Sequence, residues 1–212
     1  MLSPLDRAIS TFDQMLKTFG GGRGQPARRP YPGANSGRFS PLNAADRLKA
    51  SRLMRVNHAG EICAQALYFG QALTAQTAAE REALEAAAQE EGDHLVWCAT
   101  RLRELEARPS RLDPVWFLGA FSLGALAGCA GTAASMGFLA ETEHQVVAHL
   151  DTHLSMLPPE DVVSRQILIQ MRQDEARHAA SAQRHGARTL PITIRWLMRL
   201  QARVMTTIAA RF

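Results

Sequence analysis

The stretch EEGDH at residues 90–94 places three acids and a histidine within five residues of an otherwise ordinary amphipathic helix. DEARH at residues 174–178 repeats the pattern. Residues three apart on a helix share one face, with Cβ atoms roughly 5–6 Å apart, so a Glu-x-x-His pair can hold one side of a metal ion. A single pair of this kind is usually only a charged helix surface. The two pairs are Glu91 with His94 and Glu175 with His178.

Two isolated acids precede these motifs at nearly equal distances. Glu61 lies 30 residues before Glu91, and Glu143 lies 32 residues before Glu175. If each pair belongs to one helical hairpin, the turns fall near residues 76 and 159. Because an α-helix rises 1.5 Å per residue, each isolated glutamate is then level with its motif. The spacing therefore predicts two hairpins that bring their acids to one level.

The two midpoints carry turn signals. Residues 77–80 read TAAE, a capping-box sequence that begins a helix at Thr77. Residues 158 and 159 are both proline, which ends a helix at about residue 156. Two matched hairpins, together with the absence of a convincing alternating strand pattern, predict an all-α, ferritin-like four-helix bundle.

Four helices would contribute Glu, Glu-x-x-His, Glu and Glu-x-x-His to the interior of that bundle. Four buried carboxylates are costly alone, whereas two divalent cations cancel their charge. Oxygen-rich ligands with one imidazole per metal suit iron or manganese. Glu141 is an alternative to Glu143, and Glu90 and Asp174 are predicted to accept hydrogen bonds from the far nitrogens of the ligand histidines. The predicted ligands are Glu61, Glu91, His94, Glu143, Glu175 and His178. The remaining histidines 58, 144, 153 and 185 are predicted to be surface or outer groups.

Three regions flank or interrupt this pattern. Residues 1–19 are predicted to form an amphipathic helix, and residues 20–40, rich in Gly, Pro and Arg, are predicted to be a linker. The main domain spans residues 41–212, with its first helix from about Pro41 to Thr74 and a helix ending at Gly186. An amphipathic helix over residues 191–212 carries Arg195, Arg199 and Arg203 on one side and Ile194, Leu197, Met198, Val204, Met205 and Ile208 on the other.

The run from residue 115 to 140 contains no charge. Its 26 residues exceed the roughly 20 that span a bilayer, but five glycines make it only mildly hydrophobic. The alternatives are a packed core helix or crossover, a membrane-dipping element and a true span. We interpret the run as one buried or membrane-facing surface. Gly124, Gly128 and Gly131 are predicted to keep that surface low, so that an apolar tail can lie against it.

Composition narrows the class of protein. Apolar residues make up 46% and charged residues 21%, as in a protein with a folded core. The net charge is +4 and the basic excess is terminal, which favours an anionic membrane surface. No nucleic-acid-binding motif is present. Three cysteines without Cys-x-x-Cys predict reduced thiols.

Four segments resemble demethoxyubiquinone hydroxylases, the di-iron monooxygenases of late ubiquinone biosynthesis. The similarity covers about residues 50–186 and is carried by VNHAGE (56–61), EEGDH (90–94), ETEHQVVAH (141–149) and RQDEARH (172–178). The family often has a tyrosine after the histidine matching His149, where this chain has Leu150.

The resemblance implies hydroxylation of a polyprenyl methoxybenzoquinol ring with O2 at two iron ions held by the six predicted ligands. It also implies peripheral attachment to a membrane, which for a bacterial protein is the cytoplasmic face of the inner membrane and for a eukaryotic one the mitochondrial inner membrane. The sequence leaves open NADH or a reductase as electron donor, other ubiquinone-biosynthesis proteins as partners, and a homo-oligomer. Iron storage, a rubrerythrin-like peroxidase and a membrane adaptor are the competing functions.

Overall fold

The computed structural model describes Asp13, Thr18, residues 27–34 and residues 42–212. That part of the chain contains α-helices and no β-strand. The helices of residues 42–212 are α1 Ala44–Thr74, α2 Ala78–Glu104, α3 Asp113–Cys129, α4 Thr132–Met156, α5 Val162–Arg184 and α6 Ile192–Ala209. Helices α1 and α2 form one hairpin, and α4 and α5 form the other. The predicted all-α bundle is confirmed.

Both hairpin turns lie where the spacing predicts them. Thr77 caps α2 by accepting a hydrogen bond from the backbone N–H of Glu80, while the Glu80 carboxylate accepts from the N–H of Gln76. Helix α4 ends at Met156, two residues before the proline pair. Helix α1 begins later than predicted, because Asn43 accepts from the N–H of Asp46 and caps the helix there.

The uncharged run forms parts of two helices rather than one surface. It breaks at Gly131, whose φ of +95° lies in the left-handed region that favours glycine. Residues 115–129 of the run belong to helix α3, which packs lengthwise along α1. Residues 132–140 belong to α4, and Met136, Leu139 and Ala140 there are buried in the bundle.

Two of the glycines in this run serve close helix packing. A Cβ on Gly124 would overlap the Leu67 carbonyl of α1, and one on Gly128 would overlap the Thr74 side chain. Their surfaces are therefore covered by α1. The prediction that an apolar tail lies against Gly124 and Gly128 is wrong, because a helical glycine gives no sign of whether lipid or a neighbouring backbone fills the space it leaves.

Helices α3 and α6 expose apolar side chains on the outside of the bundle. On α3 these are Val115, Leu118 and Leu126, and on α6 they are Ile192, Trp196, Leu197, Leu200 and Val204. Among the described helices, none offers a stretch long and apolar enough to cross a bilayer. Exposed apolar patches on adjoining helices are typical of an interaction surface.

The predicted division of α6 into a basic and an apolar side is only partly right. Arg195 lies on the packed side, where its Nε donates to Glu141 at 2.7 Å. Met198 and Met205 also turn toward the bundle, whereas Leu197 and Val204 face outward. Arg199 and Arg203 remain exposed. Arg195 does not contribute to an exposed basic side, because its guanidinium pairs with the Glu141 carboxylate on α4.

Residues 27–34 pack on the bundle, although their composition predicts a linker. Ala27 and Tyr31 contact the core around Trp97, and Tyr31 donates to Glu104 at 3.0 Å. The rest of the predicted linker lies outside the described residues. So does the predicted N-terminal helix apart from Asp13 and Thr18, of which Thr18 donates to Gln65.

Candidate metal centre

The structure brings all six predicted ligand residues together at one level of the bundle. They form two groups, and within each group one ligand atom per residue lies within 4.8 Å of the others. Glu91 and Glu175 belong to both groups. The groups are Glu61, Glu91, His94 and Glu175, and Glu91, Glu143, Glu175 and His178. This arrangement fits a pair of metal ions, for which the glutamates of the two Glu-x-x-His motifs would be available to both positions.

The two histidines face the carboxylates in matching ways. Nδ1 of His94 lies 3.1 Å from oxygens of both Glu91 and Glu175 and 3.4 Å from Glu61. Nδ1 of His178 lies 3.0 Å from Glu175 and 3.3 Å from Glu91, and Glu143 follows at 3.7 Å. Each Nδ1 thus faces the two shared carboxylates of Glu91 and Glu175 and one further carboxylate, which is Glu61 for His94 and Glu143 for His178.

The outer nitrogens of these histidines face the two acids predicted to accept from them. Nε2 of His94 lies 2.9 Å from Asp174, and Nε2 of His178 lies 3.4 Å from Glu90. The pairing is crosswise, since each acid immediately precedes the ligand glutamate of the opposite motif. The acceptor Asp174 at Nε2 of His94 fixes the tautomer that leaves Nδ1 free to bind a metal, whereas Nε2 of His178 forms no hydrogen bond with a described residue.

Burial and crowding change the protonation of the cluster. Burial, followed by the charge of Glu91, raises the pKa of Glu61 well above its ordinary value, and burial with Glu175 does the same for Glu143. Burial also disfavours charge on Glu91, but the close imidazoles of His178 and His94 prevail and hold its pKa well below the usual range. Burial works against a charged His178, yet hydrogen bonds to Glu175 and Glu91 raise its pKa to about 11.

The cluster fits a pair of divalent cations. Its four carboxylates and two imidazoles are buried, and Glu61 Oε2, Glu91 Oε1 and Glu175 Oε1 have no hydrogen-bond partner among the described residues. Unsatisfied buried oxygens are costly unless something charged binds them. Oxygen and nitrogen donors of this kind suit iron or manganese.

We predict that metal binding releases protons. The pKa of about 11 for His178 means that the metal-free cluster holds a proton at neutral pH, and the raised pKa values of Glu61 and Glu143 act in the same direction, whereas a metal ion binds only deprotonated ligands. Affinity should therefore fall as the pH falls. Titration of Mn²⁺ into weakly buffered protein, with the pH recorded, measures the release. An affinity that does not change between neutral and mildly acidic solution would contradict the prediction.

The surroundings of Glu143 distinguish it from Glu141 and include a tyrosine. Glu141, the alternative to Glu143, lies outside both groups and accepts from Arg195 and Gln145. Buried Tyr68 donates a short hydrogen bond to Glu143. Sequence reasoning missed Tyr68, although its position seven residues after Glu61 places it two helical turns along the same face.

The other histidines lie outside both groups. His144 and His185 are exposed, as predicted for surface residues, whereas His58 and His153 are buried. Nδ1 of His153 lies 2.9 Å from Asn57, and its ring is 3.9 Å from that of His149. Burial lowers the pKa of His149, so at neutral pH this imidazole is uncharged.

An apolar cavity of about 370 Å³ connects the centre with the outer surface. Helices α1, α3, α4 and α6 line it, and it reaches Glu61, Glu91, Glu143 and Glu175. Val115 of α3 and Val204 of α6 line the cavity and are also exposed, so its mouth lies between these helices. Gly60 and Gly119 line it too, and a Cβ on either would meet open space.

Comparisons with known proteins agree with this geometry. Residues 48–209 match the family model described as ubiquinone biosynthesis protein COQ7. The chain is 51% identical over 206 residues to a 3-demethoxyubiquinol 3-hydroxylase of Bordetella petrii, covering 97% of this chain and 91% of that one. A protein of the same name from Xanthomonas axonopodis pv. citri is 52% identical over 209 residues, covering 99% of this chain and 95% of the relative.

A solved structure shares the fold. It is a dodecameric thioferritin, the bacterioferritin-related protein of Bacteroides fragilis, with a TM-score of 0.54 and 18% identity over 72% of this chain and 89% of that one. At this identity the likeness concerns the fold alone, and it supports the ferritin-like bundle. The family model covers most of the chain, and the relatives match it over nearly its whole length. The chain therefore belongs to the family of the ubiquinone biosynthesis protein COQ7.

Proposed function

We propose that this chain hydroxylates the ring of a demethoxyubiquinol, using O2 and two iron ions held by Glu61, Glu91, His94, Glu143, Glu175 and His178. One observation carries the proposal: two ligand groups that share Glu91 and Glu175 lie at the inner end of an apolar cavity. An iron-storage protein has no use for such a cavity. The relatives named 3-demethoxyubiquinol 3-hydroxylase support the choice of substrate.

When bound and reduced, the iron pair supplies the two electrons that O2 needs for insertion of one oxygen atom into an electron-rich ring. The side chains do the rest of the work. Glu91 and Glu175 would contribute a carboxylate to each of the two metal positions. Tyr68 keeps the Glu143 carboxylate in place through its hydrogen bond. Asp174 orients His94.

The cavity provides a dry place for the quinol head group. Apolar residues such as Leu67, Trp116 and Leu123 line most of it and exclude water from the centre. His149 contributes an imidazole to the lining, and its uncharged form can donate or accept a hydrogen bond at a ring oxygen. We assign it to orientation of the head group, a role that does not need a tyrosine at residue 150.

The substrate's tail determines where the protein must work. Moving a polyprenyl chain from lipid into water costs about 0.8 kcal/mol per CH₂, so the cavity mouth has to face the bilayer. The mouth lies between α3 and α6, whose exposed apolar side chains surround it. Trp196, Leu200 and Val204 repeat every four residues along α6, and Arg199 and Arg203 follow one edge of this row. That pattern is typical of a helix lying in a membrane interface.

The function is tested with purified, iron-loaded protein, a chemical reductant, O2 and a short-tailed demethoxyubiquinol. The expected result is one hydroxylated product per turnover, and production of ubiquinone in a strain that lacks its own hydroxylase. Two tightly bound irons with an unchanged quinol, and O2 consumed only by iron oxidation, would instead indicate an iron-oxidising storage protein.

We predict that Arg199→Glu with Arg203→Glu weakens binding to anionic vesicles. Each basic charge near such a surface contributes about 1 kcal/mol, so loss of two should cost about 2 kcal/mol, with further weakening from repulsion. The measurement is sedimentation with vesicles, with the emission of exposed Trp196 as a second signal. Neutral vesicles should bind both proteins equally. Unchanged binding to anionic vesicles would show that α6 faces something other than the membrane.

A further inference from the structure

Arg29 joins the two helices that carry the Glu-x-x-His motifs. Its Nε lies 2.9 Å from Asp93 of α2, and one terminal nitrogen lies 2.7 Å from Asp174 of α5. The planar fork of an arginine can hold two carboxylates at once in a fixed relation. Asp93 immediately precedes His94, and Asp174 immediately precedes Glu175. One guanidinium thus bridges the positions next to a ligand on each helix.

Arg29 also reaches His94 by two separate routes. The first runs through Asp174, whose Oδ2 receives Arg29 on one side and lies 2.9 Å from Nε2 of His94 on the other. The second runs through Trp97: the guanidinium carbon lies 4.8 Å from the centre of the indole ring, and that ring lies 5.3 Å from the imidazole of His94. Both contacts restrict rotation of the imidazole.

The other ligand histidine lacks this support. Nε2 of His178 has no hydrogen-bond partner among the described residues; it lies 3.4 Å from Glu90, whose side chain is 35% exposed, whereas the side chain of Asp174 is 1% exposed. Arg29 lies 3.8 Å from Glu90, beyond hydrogen-bond distance. Arg177 contacts both Glu90 and Asp174 from the solvent side. The two metal positions therefore differ in how firmly their outer groups are held.

We propose that Arg29 is a positioning residue for the metal position formed by Glu61, Glu91, His94 and Glu175, acting through Asp174. The segment 27–34 that carries it is held independently by Tyr31 on Glu104 and by Gly33, which lies close against Val163. The inference rests on the proposed metal centre. A wild-type protein that binds no metal would overturn that centre, while only the comparison of variants below bears on Arg29.

The test is the release of Fe²⁺ to a chelator, followed in wild type, Arg29→Ala and Arg28→Ala. Changes in groups behind metal ligands cost about 10–100-fold in affinity, so we expect Arg29→Ala to lose one of its two ions about 10-fold faster. The other ion should leave at the wild-type rate. Arg28→Ala is a matched control, since it removes the same charge from the same segment and loses a side-chain hydrogen bond to Gln89, while its backbone N–H can still donate to Asp93. Equal release from both variants would overturn the proposal.

Two further variants separate positioning from a general structural effect. In an Asp174→Asn background, Arg29→Ala should add much less than it does alone, because the two residues act in one chain of contacts. Arg29→Lys keeps the charge but lacks the planar fork that holds two carboxylates in a fixed relation, and should release iron at an intermediate rate. Additive effects, or wild-type release from Arg29→Lys, would contradict positioning through Asp174. The absorption of bound Co²⁺ reports the ligand geometry of each variant without any turnover.

Discussion

Glu175→Ala is expected to lose both metal ions and all hydroxylase activity while remaining folded. Glu175 belongs to both ligand groups, so its loss removes one donor from each ion. Because even outer groups affect affinity about 10–100-fold, a shared ligand should cost more than about 100-fold for each ion. Removing one of four crowded carboxylates relieves repulsion in the metal-free protein, so helical content should not fall. Metal analysis after gel filtration, with circular dichroism, measures both quantities.

Glu143→Ala provides the contrast. Glu143 belongs to only one of the groups, so this variant should keep one ion at the position formed by Glu61, Glu91, His94 and Glu175. The two variants thus distinguish a bridged pair from two separate sites. Retention of two ions by Glu175→Ala would contradict the assignment of the metal centre. Loss of both ions from Glu143→Ala would contradict the shared roles of Glu91 and Glu175.

Gly119→Leu is expected to block long-tailed substrates at an otherwise intact centre. A Cβ on Gly119 meets open space in the cavity, and leucine is the better helix former. Stability and iron content should therefore not fall. If the side chain displaces two CH₂ groups of the tail, each worth about 0.8 kcal/mol, turnover of the long-tailed quinol should drop by roughly an order of magnitude. A short-tailed analogue should react at the wild-type rate.

Gly128→Leu is the informative control for Gly119→Leu. Its side chain would run into Thr74, so it should destabilise the bundle by about 1–3 kcal/mol, as overpacking does. Thermal unfolding and turnover of both substrates separate the two effects. If Gly119→Leu reacts with both substrates like wild type, or slows both equally, the tail does not pass Gly119.

The clustering of the six predicted ligand residues could be predicted because it depends on local rules. Helical periodicity relates Glu91 to His94, and the turn signals at Thr77 and the proline pair set the register of each hairpin. Contacts between distant parts of the chain left no such signal. The hydrogen bond from Tyr68 to Glu143 joins residues 75 apart, and that from Arg29 to Asp174 joins residues 145 apart.

Predictions from composition were inaccurate where one residue type, such as glycine or arginine, suits both an exposed and a packed position. Gly and Pro between residues 20 and 40 are typical of a linker, yet Gly33 is needed where the chain lies close against Val163. Glycines in α3 equally suit a lipid-facing groove and a close contact between helices. The arginine row of α6 predicts a uniform basic face, but Arg195 has a buried partner in Glu141 that lies 54 residues earlier.

The close contact of α3 with α1 makes α3 the more firmly held of the two helices at the cavity mouth. At Gly70 and Gly124 the two backbones touch without intervening side chains, so α3 cannot tilt without dragging α1 and its ligand Glu61. Helix α6 has a single fully buried residue, Ala209, near its C-terminal end. Segments with few buried contacts open at the least cost. Helix α6 would therefore be displaced at lower cost than α3, although its displacement also breaks the ion pair of Arg195 with Glu141.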